Sequence, residues 1–142
     1  MNDLKAFLSQ NAIPMENVKY AASRRFVDDK GKPIEWELRA LTSEEDEAIR
    51  RTCTHRVPMK GRKGATMPEL NTVEYMCQMA VASTVFPNLN DKDLQDSYGV
   101  MDAEALIKKM LKPGEYTDYL GKVQEVNGFD ISLEDQVEEA KN

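Results

Sequence analysis

Residues 52–64, TCTHRVPMKGRKG, bring together most of the side chains in this sequence that could do chemistry. Cys53 and His55, the only histidine among 142 residues, could bind a metal or serve as nucleophile and general base. Phosphates or an acidic protein surface could instead be held by the basic side chains of the stretch: Arg56, Lys60, Arg62 and Lys63. Each of these chemistries needs different partner residues elsewhere in the chain.

Neither a metal site nor a catalytic site is predicted from this stretch. Cys53-x-His55 with a distant Cys77 lacks the two-plus-two ligand spacing by which one chain surrounds a tetrahedral zinc ion. Nucleophilic catalysis needs a nucleophile, a base and an orienting group, and no recognisable motif surrounds His55. The carboxylates at 44–47 occupy a predicted helix start, where the helix dipole accounts for them. We therefore expect a protein that is not an enzyme and that uses no cofactor.

Positive charge is concentrated in one part of an acidic chain. Residues 50–68 carry six basic and no acidic side chains, whereas the whole chain has a net charge of -6. Nucleic-acid binding through residues 50–63 is the weaker interpretation, because no aromatic side chain interleaves the basic run to stack on bases. A loop that becomes ordered on an acidic partner, or on a second copy of the chain, fits better. Met59 and Met67 could supply adaptable apolar contacts there.

The pattern of apolar residues predicts the helices and strands that must position these side chains, and it indicates an α+β fold. We expect a single domain over residues 1–142. The expected parts are a short N-terminal helix (1–15), an antiparallel β-hairpin (17–41), a body of about five α-helices (42–128) and an acidic C-terminal tail (129–142). Within the body, glycines and prolines predict a mobile basic loop at 55–68.

The predicted hairpin has one apolar face, which includes Tyr20, Trp36 and Leu38. An isolated hairpin is not stable in water, so helices or another subunit must cover this face. Where the cover is incomplete, Tyr20 and Trp36 are candidates for contacts with a partner. Leu94 and Tyr98, four residues apart on a short predicted helix, are further candidates.

Two longer helices are predicted on either side of the basic loop. The first spans about 43–54, and two pairs could form a capping box at its start: Thr42 with Glu45, or Ser43 with Asp46. The second spans about 68–85, and we expect it to be the core helix because Val73, Met76 and Met79 share one broad face.

The first residues of the chain, MNDLKAFLSQNA, include an acidic residue and no long apolar run. We therefore expect neither a signal peptide nor a membrane span, and we expect a cytoplasmic protein. In that compartment Cys53 and Cys77 are expected to be free thiols.

Three long segments of the sequence resemble those of the XkdN-like tail assembly chaperones of contractile-tailed phages and PBSX-like prophages. They are RFVDDKGKPIEWELRALTSEEDEAIRRTCT, ASTVFPNLNDKDLQDSYGVMDAEALIKKMLKPGEY and VNGFDISLEDQVEEAKN; the basic stretch 56–67 is the part least like the family. The resemblance implies a non-enzymatic protein that binds the long helical tape measure protein until the tail tube assembles around it. A small structural component of the tail is the alternative.

The end of the sequence suggests a second form of the protein. Tail chaperones of this kind often have a longer product made by a minus-one ribosomal frameshift. Ala140, Lys141 and Asn142 can be encoded by codons that contain a slippery A-AAA-AAY heptamer. A frameshifted longer form, or a second copy of the chain in a homo-oligomer, is therefore an expected partner.

Overall fold

The structure is a computed structural model that describes residues 3–129. It starts with a short 3-10 helix, Asp3–Phe7. Its strands are β1 (Val18–Tyr20), β2 (Trp36–Leu38), β3 (Thr54–Pro58), β4 (Thr66–Leu70) and β5 (Thr84–Phe86). Its α-helices are α1 (Ser43–Cys53), α2 (Thr72–Ser83), α3 (Lys92–Ser97), α4 (Ala103–Met110) and α5 (Pro113–Val126). An antiparallel hairpin followed by five α-helices in these residues confirms the predicted α+β fold.

The predicted hairpin is formed by β1 and β2, which pair antiparallel with Tyr20 opposite Trp36. The connection between them folds back on itself around the turn DDKG. There the Asp28 carboxylate accepts hydrogen bonds from the backbone N–H groups of Lys30 and Lys32 at 2.8 and 2.9 Å. Side-chain bonds of this kind stabilise turns, as the sequence suggested.

A third strand, β5, was not predicted. It pairs antiparallel with β2, so that the sheet order is β1-β2-β5. The core helix was expected to continue to about residue 85, but α2 ends at Ser83 and the next residue already belongs to β5. Thr84 closes the helix, because its backbone N–H and its hydroxyl both donate to the Ala80 carbonyl. The three residues TVF then pair with the sheet, which their β-branched and aromatic side chains favour.

Helices cover the inner face of the sheet. The sequence left two alternatives for this cover, helices of the same chain or another subunit, and the structure shows the first. Trp36 is 2% exposed, and its ring meets that of Tyr119 edge to face at a centroid distance of 5.1 Å. Leu38 is fully buried beside it. The deepest helical side chains of the same core are Cys53, Met79, Ala80, Leu106, Ile107, Tyr119 and Val123.

Helix α1 begins with the first of the two predicted capping boxes. The Glu45 N–H donates to the Thr42 hydroxyl at 3.2 Å, and the Thr42 N–H donates to the Glu45 carboxylate at 3.0 Å. In α2, by contrast, the predicted core face is partly wrong. Val73 is 73% exposed, while Tyr75 and Cys77 are buried, so the buried face includes Tyr75 and Cys77 in place of Val73. The helix also starts four residues later than predicted, at Thr72.

The predicted loop at 55–68 is also wrong, because two paired strands joined by a short turn occupy these residues. Strands β3 and β4 pair antiparallel over five residue pairs, from Thr54 opposite Leu70 to Pro58 opposite Thr66. We call residues 54–70 the ribbon. It is a sheet of two strands, separate from the three-stranded sheet.

Candidate functional site

The ribbon is joined to the body without linkers. Strand β3 follows α1 directly, and one residue, Asn71, separates β4 from α2. The Asn71 N–H donates to the Cys53 carbonyl at 2.8 Å, so the backbone pairing continues into the helix ends. The His55 Nε2 atom lies 2.7 Å from the Glu74 carboxylate of α2, which ties the base of the ribbon to the body. The His55 side chain therefore contacts α2 through Glu74.

The two prolines of the ribbon favour a loop in the sequence, but they lie at positions where a strand tolerates them. The Met59 N–H donates to the Ala65 carbonyl, and antiparallel pairs alternate between bonded and non-bonded positions. Pro58 and Pro68 fall at the alternate positions, where the strand needs no N–H toward its neighbour. Proline is therefore tolerated at both places, because its missing donor faces the outer edge.

The two faces of the ribbon differ in character. Residues opposite each other in an antiparallel pair share a face, so the pairs Val57–Met67 and Met59–Ala65 lie on one side. These four side chains form what we call the apolar face. Met67 is 45% exposed, and Val57, Met59 and Ala65 are half-buried. No member of the apolar face belongs to the core or packs against it.

The basic candidates of the ribbon separate into two groups. Arg56 lies along the strands, because its guanidinium donates to the Thr66 hydroxyl at 3.1 Å and to the Thr66 carbonyl at 2.7 Å. Lys60, Arg62 and Lys63 lie in the turn at the end, residues 60–64, which we call the tip. All three are exposed, and none forms an ion pair within residues 3–129.

The other candidate partner residues lie at or near the core. Trp36 is buried by helices, so the condition under which it was a candidate is not met. Tyr20 is half-buried beside Tyr119, at a ring-centroid distance of 6.1 Å, and burial raises the pKa of its hydroxyl. Leu94 of α3 and Tyr98, which follows the end of α3, are half-buried and pack against the core. Of these four, Tyr20, Leu94 and Tyr98 retain partly exposed surface.

An exposed apolar segment precedes the sheet, and the prediction of a short N-terminal helix accounts for only part of it. The 3-10 helix has no buried residue. Phe7 is 79% exposed, Ile13 is 93% exposed and Met15 is 77% exposed. We call residues 3–17 the N-terminal arm. In the sequence, Ile13 and Met15 belong to no helical or strand pattern that would place them in a core. This could have indicated that they are exposed.

Within the part of the chain that the structure describes, no group of three or more His, Cys, Asp or Glu side chains is placed to hold a metal ion. Cys53 and Cys77 are both buried and free. Burial raises the pKa of each thiol, which keeps both protonated and unreactive.

Paired polar groups in the body support the ends of the helices. The Arg39 guanidinium forms two hydrogen bonds with the Glu45 carboxylate, at 2.6 and 3.0 Å, and together with the Thr42 N–H it lowers the pKa of Glu45 to about 2. Between α1 and α2 the Tyr75 hydroxyl donates to Asp46, and burial with this bond raises the pKa of Tyr75 to about 12. These groups serve structure, since each already has its partner.

Comparison with known proteins gives a consistent result over almost the whole chain. A sequence model of the family described as "Phage XkdN-like tail assembly chaperone protein" matches residues 4–141. The phage-like element PBSX protein XkdN of Bacillus subtilis (strain 168) is 36% identical over 99% of this chain and 94% of its own length. The protein YqbN of the same strain is 36% identical over 99% of this chain and 93% of its own length.

The fold is also that of a solved relative. The crystal structure of the protein YqbN superposes with a TM-score of 0.78 at 29% identity, and it covers 92% of this chain and 99% of that one. None of the helices between residues 3 and 129 has the length and apolar character needed to cross a membrane. Because the match extends along the sequence and through the fold, this chain belongs to the XkdN-like family of phage tail assembly chaperones.

Proposed function

We propose that this protein binds the tape measure protein, a long helical tail protein, and holds it until the tail tube assembles around it. The role is non-enzymatic and belongs in the host cytoplasm, before the particle is complete. Membership of the chaperone family supports an assembly role. The proposal goes further than the family in naming the client.

The observation that carries the proposal is apolar surface left over after the core is complete. Phe7, Ile13 and Met15 are each more than three-quarters exposed, and they lie in one continuous arm of 15 residues. A protein that keeps an amphipathic helical client in solution needs such unpartnered apolar side chains. The acidic remainder of the surface supplies solubility, since the chain carries a net charge of -6.

Co-expression with the tape measure protein of the same phage or prophage tests the proposal. We expect the tape measure protein to stay soluble and to co-purify with this chain, and to aggregate when expressed alone. The variant Phe7→Ser/Ile13→Ser/Met15→Ser should lose at least half of the co-purified client. Met101→Ser is the matched control, because Met101 is 94% exposed but lies outside the arm.

Two results would count against this role. If the tape measure protein is equally soluble with and without this chain, the holding function is refuted. Stoichiometric amounts of this chain in finished tails would instead support the alternative, a small structural component of the tail.

A further inference from the structure

We propose that the ribbon is a second client-binding surface, beside the N-terminal arm, for one class of segment: an amphipathic helix whose apolar stripe is bordered by carboxylates. This inference rests on the proposed function, and it adds the chemistry of the segment and the surface that binds it. Four observations carry it: the apolar face, the notch at its base, the charge of the tip and the blocked strand edges.

The apolar face has the dimensions of a short helical contact. From the pair Val57–Met67 to the pair Met59–Ala65 the strands advance two residues, or about 7 Å. An α-helix rises about 5.4 Å per turn, so a little more than one turn fits along this length. A helix presents apolar residues at i and at i+3 or i+4 over that distance, which gives two contacts with the apolar face.

A notch at the base of the ribbon extends the same surface toward the body. The notch lies between the ribbon and the start of α2, and its lining residues are His55, Val57, Glu69, Leu70, Asn71 and Thr72. Val73, the next residue along α2, is 73% exposed. The start of α2, which follows the notch in sequence, therefore also has an exposed apolar side chain.

The basic side chains of the tip are not neutralised by acidic side chains within the described structure. Lys60, Arg62 and Lys63 are exposed and form no ion pair in residues 3–129, whereas Arg56 is already bound to Thr66. Three cations next to an apolar face attract a segment with carboxylates beside its apolar stripe, and they repel one with lysines there.

The edges of the ribbon argue against a partner that adds a strand. Pro58 removes an outward N–H donor from β3, and Pro68 removes one from β4. The outward carbonyl of Thr66 is occupied by the Arg56 guanidinium at 2.7 Å. Strand addition needs a row of free backbone groups, so a partner is directed to the face of the ribbon.

The test uses the full chain and two fluorescent helical peptides of the same length and the same leucine stripe. One peptide has glutamates beside the stripe, and the other has lysines. Fluorescence anisotropy should show that the wild-type chain binds the glutamate peptide at least about tenfold more tightly. The triple variant Lys60→Glu/Arg62→Glu/Lys63→Glu should prefer the lysine peptide, and Met67→Ser should weaken the binding of both.

A matched control changes charge away from the ribbon. Lys108→Glu/Lys109→Glu alters two exposed lysines of α4 and should keep the wild-type preference. Circular dichroism and urea unfolding verify that each variant is folded. The inference is overturned if the wild-type chain binds neither peptide, if it binds both equally, or if charge reversal at the tip leaves the preference unchanged.

Two further measurements separate this inference from its alternatives. An unlabelled peptide of residues 130–142, which is acidic and contains Ile131, Leu133 and Val137, is used as a competitor. The competitor is compared with the glutamate peptide without its fluorophore. If the peptide of residues 130–142 displaces the fluorescent glutamate peptide at a lower concentration, the occupant is the chain's own C-terminal segment and the proposal is wrong. In co-expression, a tip variant is compared with the wild type by the amount of tape measure protein that co-purifies. If the amounts are equal, the ribbon's role is refuted but the proposed function is not.

Discussion

Replacing Asn127 by alanine should destabilise the fold more than its place at the end of the last described helix suggests. Its Oδ1 atom accepts from the Leu41 N–H at 2.8 Å, and its amide group donates to the Ser83 hydroxyl at 3.0 Å. The same amide donates to the Val123 carbonyl at 2.8 Å. One side chain therefore joins the end of α5 to the end of α2 and to the segment between β2 and α1.

The cost follows from the groups that lose their partners. The Leu41 N–H and the Ser83 hydroxyl each lose this hydrogen bond, and an unsatisfied buried group costs about 1 kcal/mol at the lower end of the usual range. Ser83 is fully buried, whereas Asn127 is half-buried and water can reach part of the site. We therefore expect Asn127→Ala to lower the free energy of unfolding by about 2 kcal/mol.

Urea unfolding followed by the fluorescence of Trp36 measures this loss. Trp36 is the only tryptophan and is 2% exposed, so its emission reports the core. With a urea dependence of about 2 kcal/mol per molar, the midpoint should fall by about 1 M. Asn90→Ala, at an exposed asparagine, is the control and should change the free energy by less than about 0.5 kcal/mol.

A second substitution at the same position separates hydrogen bonding from packing. Asn127→Asp keeps an acceptor for the Leu41 N–H and can accept from the Ser83 hydroxyl, but it loses the donor to the Val123 carbonyl. Because Asp has the shape of Asn but puts a carboxylate oxygen beside the Val123 carbonyl and a negative charge at the C-terminal end of α5, its loss of stability should be at least as large as that of alanine, which a packing effect alone would not produce. An alanine variant within about 0.5 kcal/mol of wild type would refute the reasoning, because it would mean that water replaces all three bonds at no cost.

Three further predictions concern charge, thiols and the core. The pKa of Glu45 is about 2 in the fold and 4.5 for the free side chain, so its contribution is complete above pH 5 and fades as the pH falls toward 2. Because the Glu45 side chain is 38% exposed, Glu45→Gln should cost about 1 kcal/mol at pH 7 and less at pH 3 in urea unfolding. Cys53 and Cys77 should not react with a thiol-specific disulfide reagent at pH 8 until urea unfolds the chain, since both are buried and have a raised pKa; rapid labelling of the native protein would contradict this. Leu106→Ala should lower the free energy of unfolding by about 3 kcal/mol, because Leu106 is fully buried; a loss below about 1 kcal/mol would show that the core closes over the cavity.

Much of the fold could be predicted because local and long-range preferences agree there. Alternation around the DDKG turn gave the β1–β2 hairpin, and the Thr42–Glu45 capping box marked the start of α1 within a residue. The burial of Trp36 also followed, because a hairpin face must be covered. These features depend on residues close together in the sequence or on one periodic pattern.

The features that were missed depend on contacts that no local pattern reveals. Strand β5 has three residues and follows α2 without a break, so only its pairing with β2 distinguishes it from a helix end. In the ribbon, Pro58 and Pro68 were interpreted as breakers because register decides whether a proline is tolerated in a strand. The basic side chains of the ribbon can be read directly from the sequence, but the apolar face beside them depends on which residues pair across the two strands.

The direct attachment of the ribbon to α1 and α2 restricts how its length can change. An added residue in each strand would move the tip outward by about 3.4 Å, but it would also turn Met67 and Val57 to the opposite side. Only two added residues per strand, about 7 Å, would restore the orientation. A longer or shorter ribbon that presents the same face must therefore differ by two residues in each strand, four in all, because deletion of one residue from each strand would exchange its two sides.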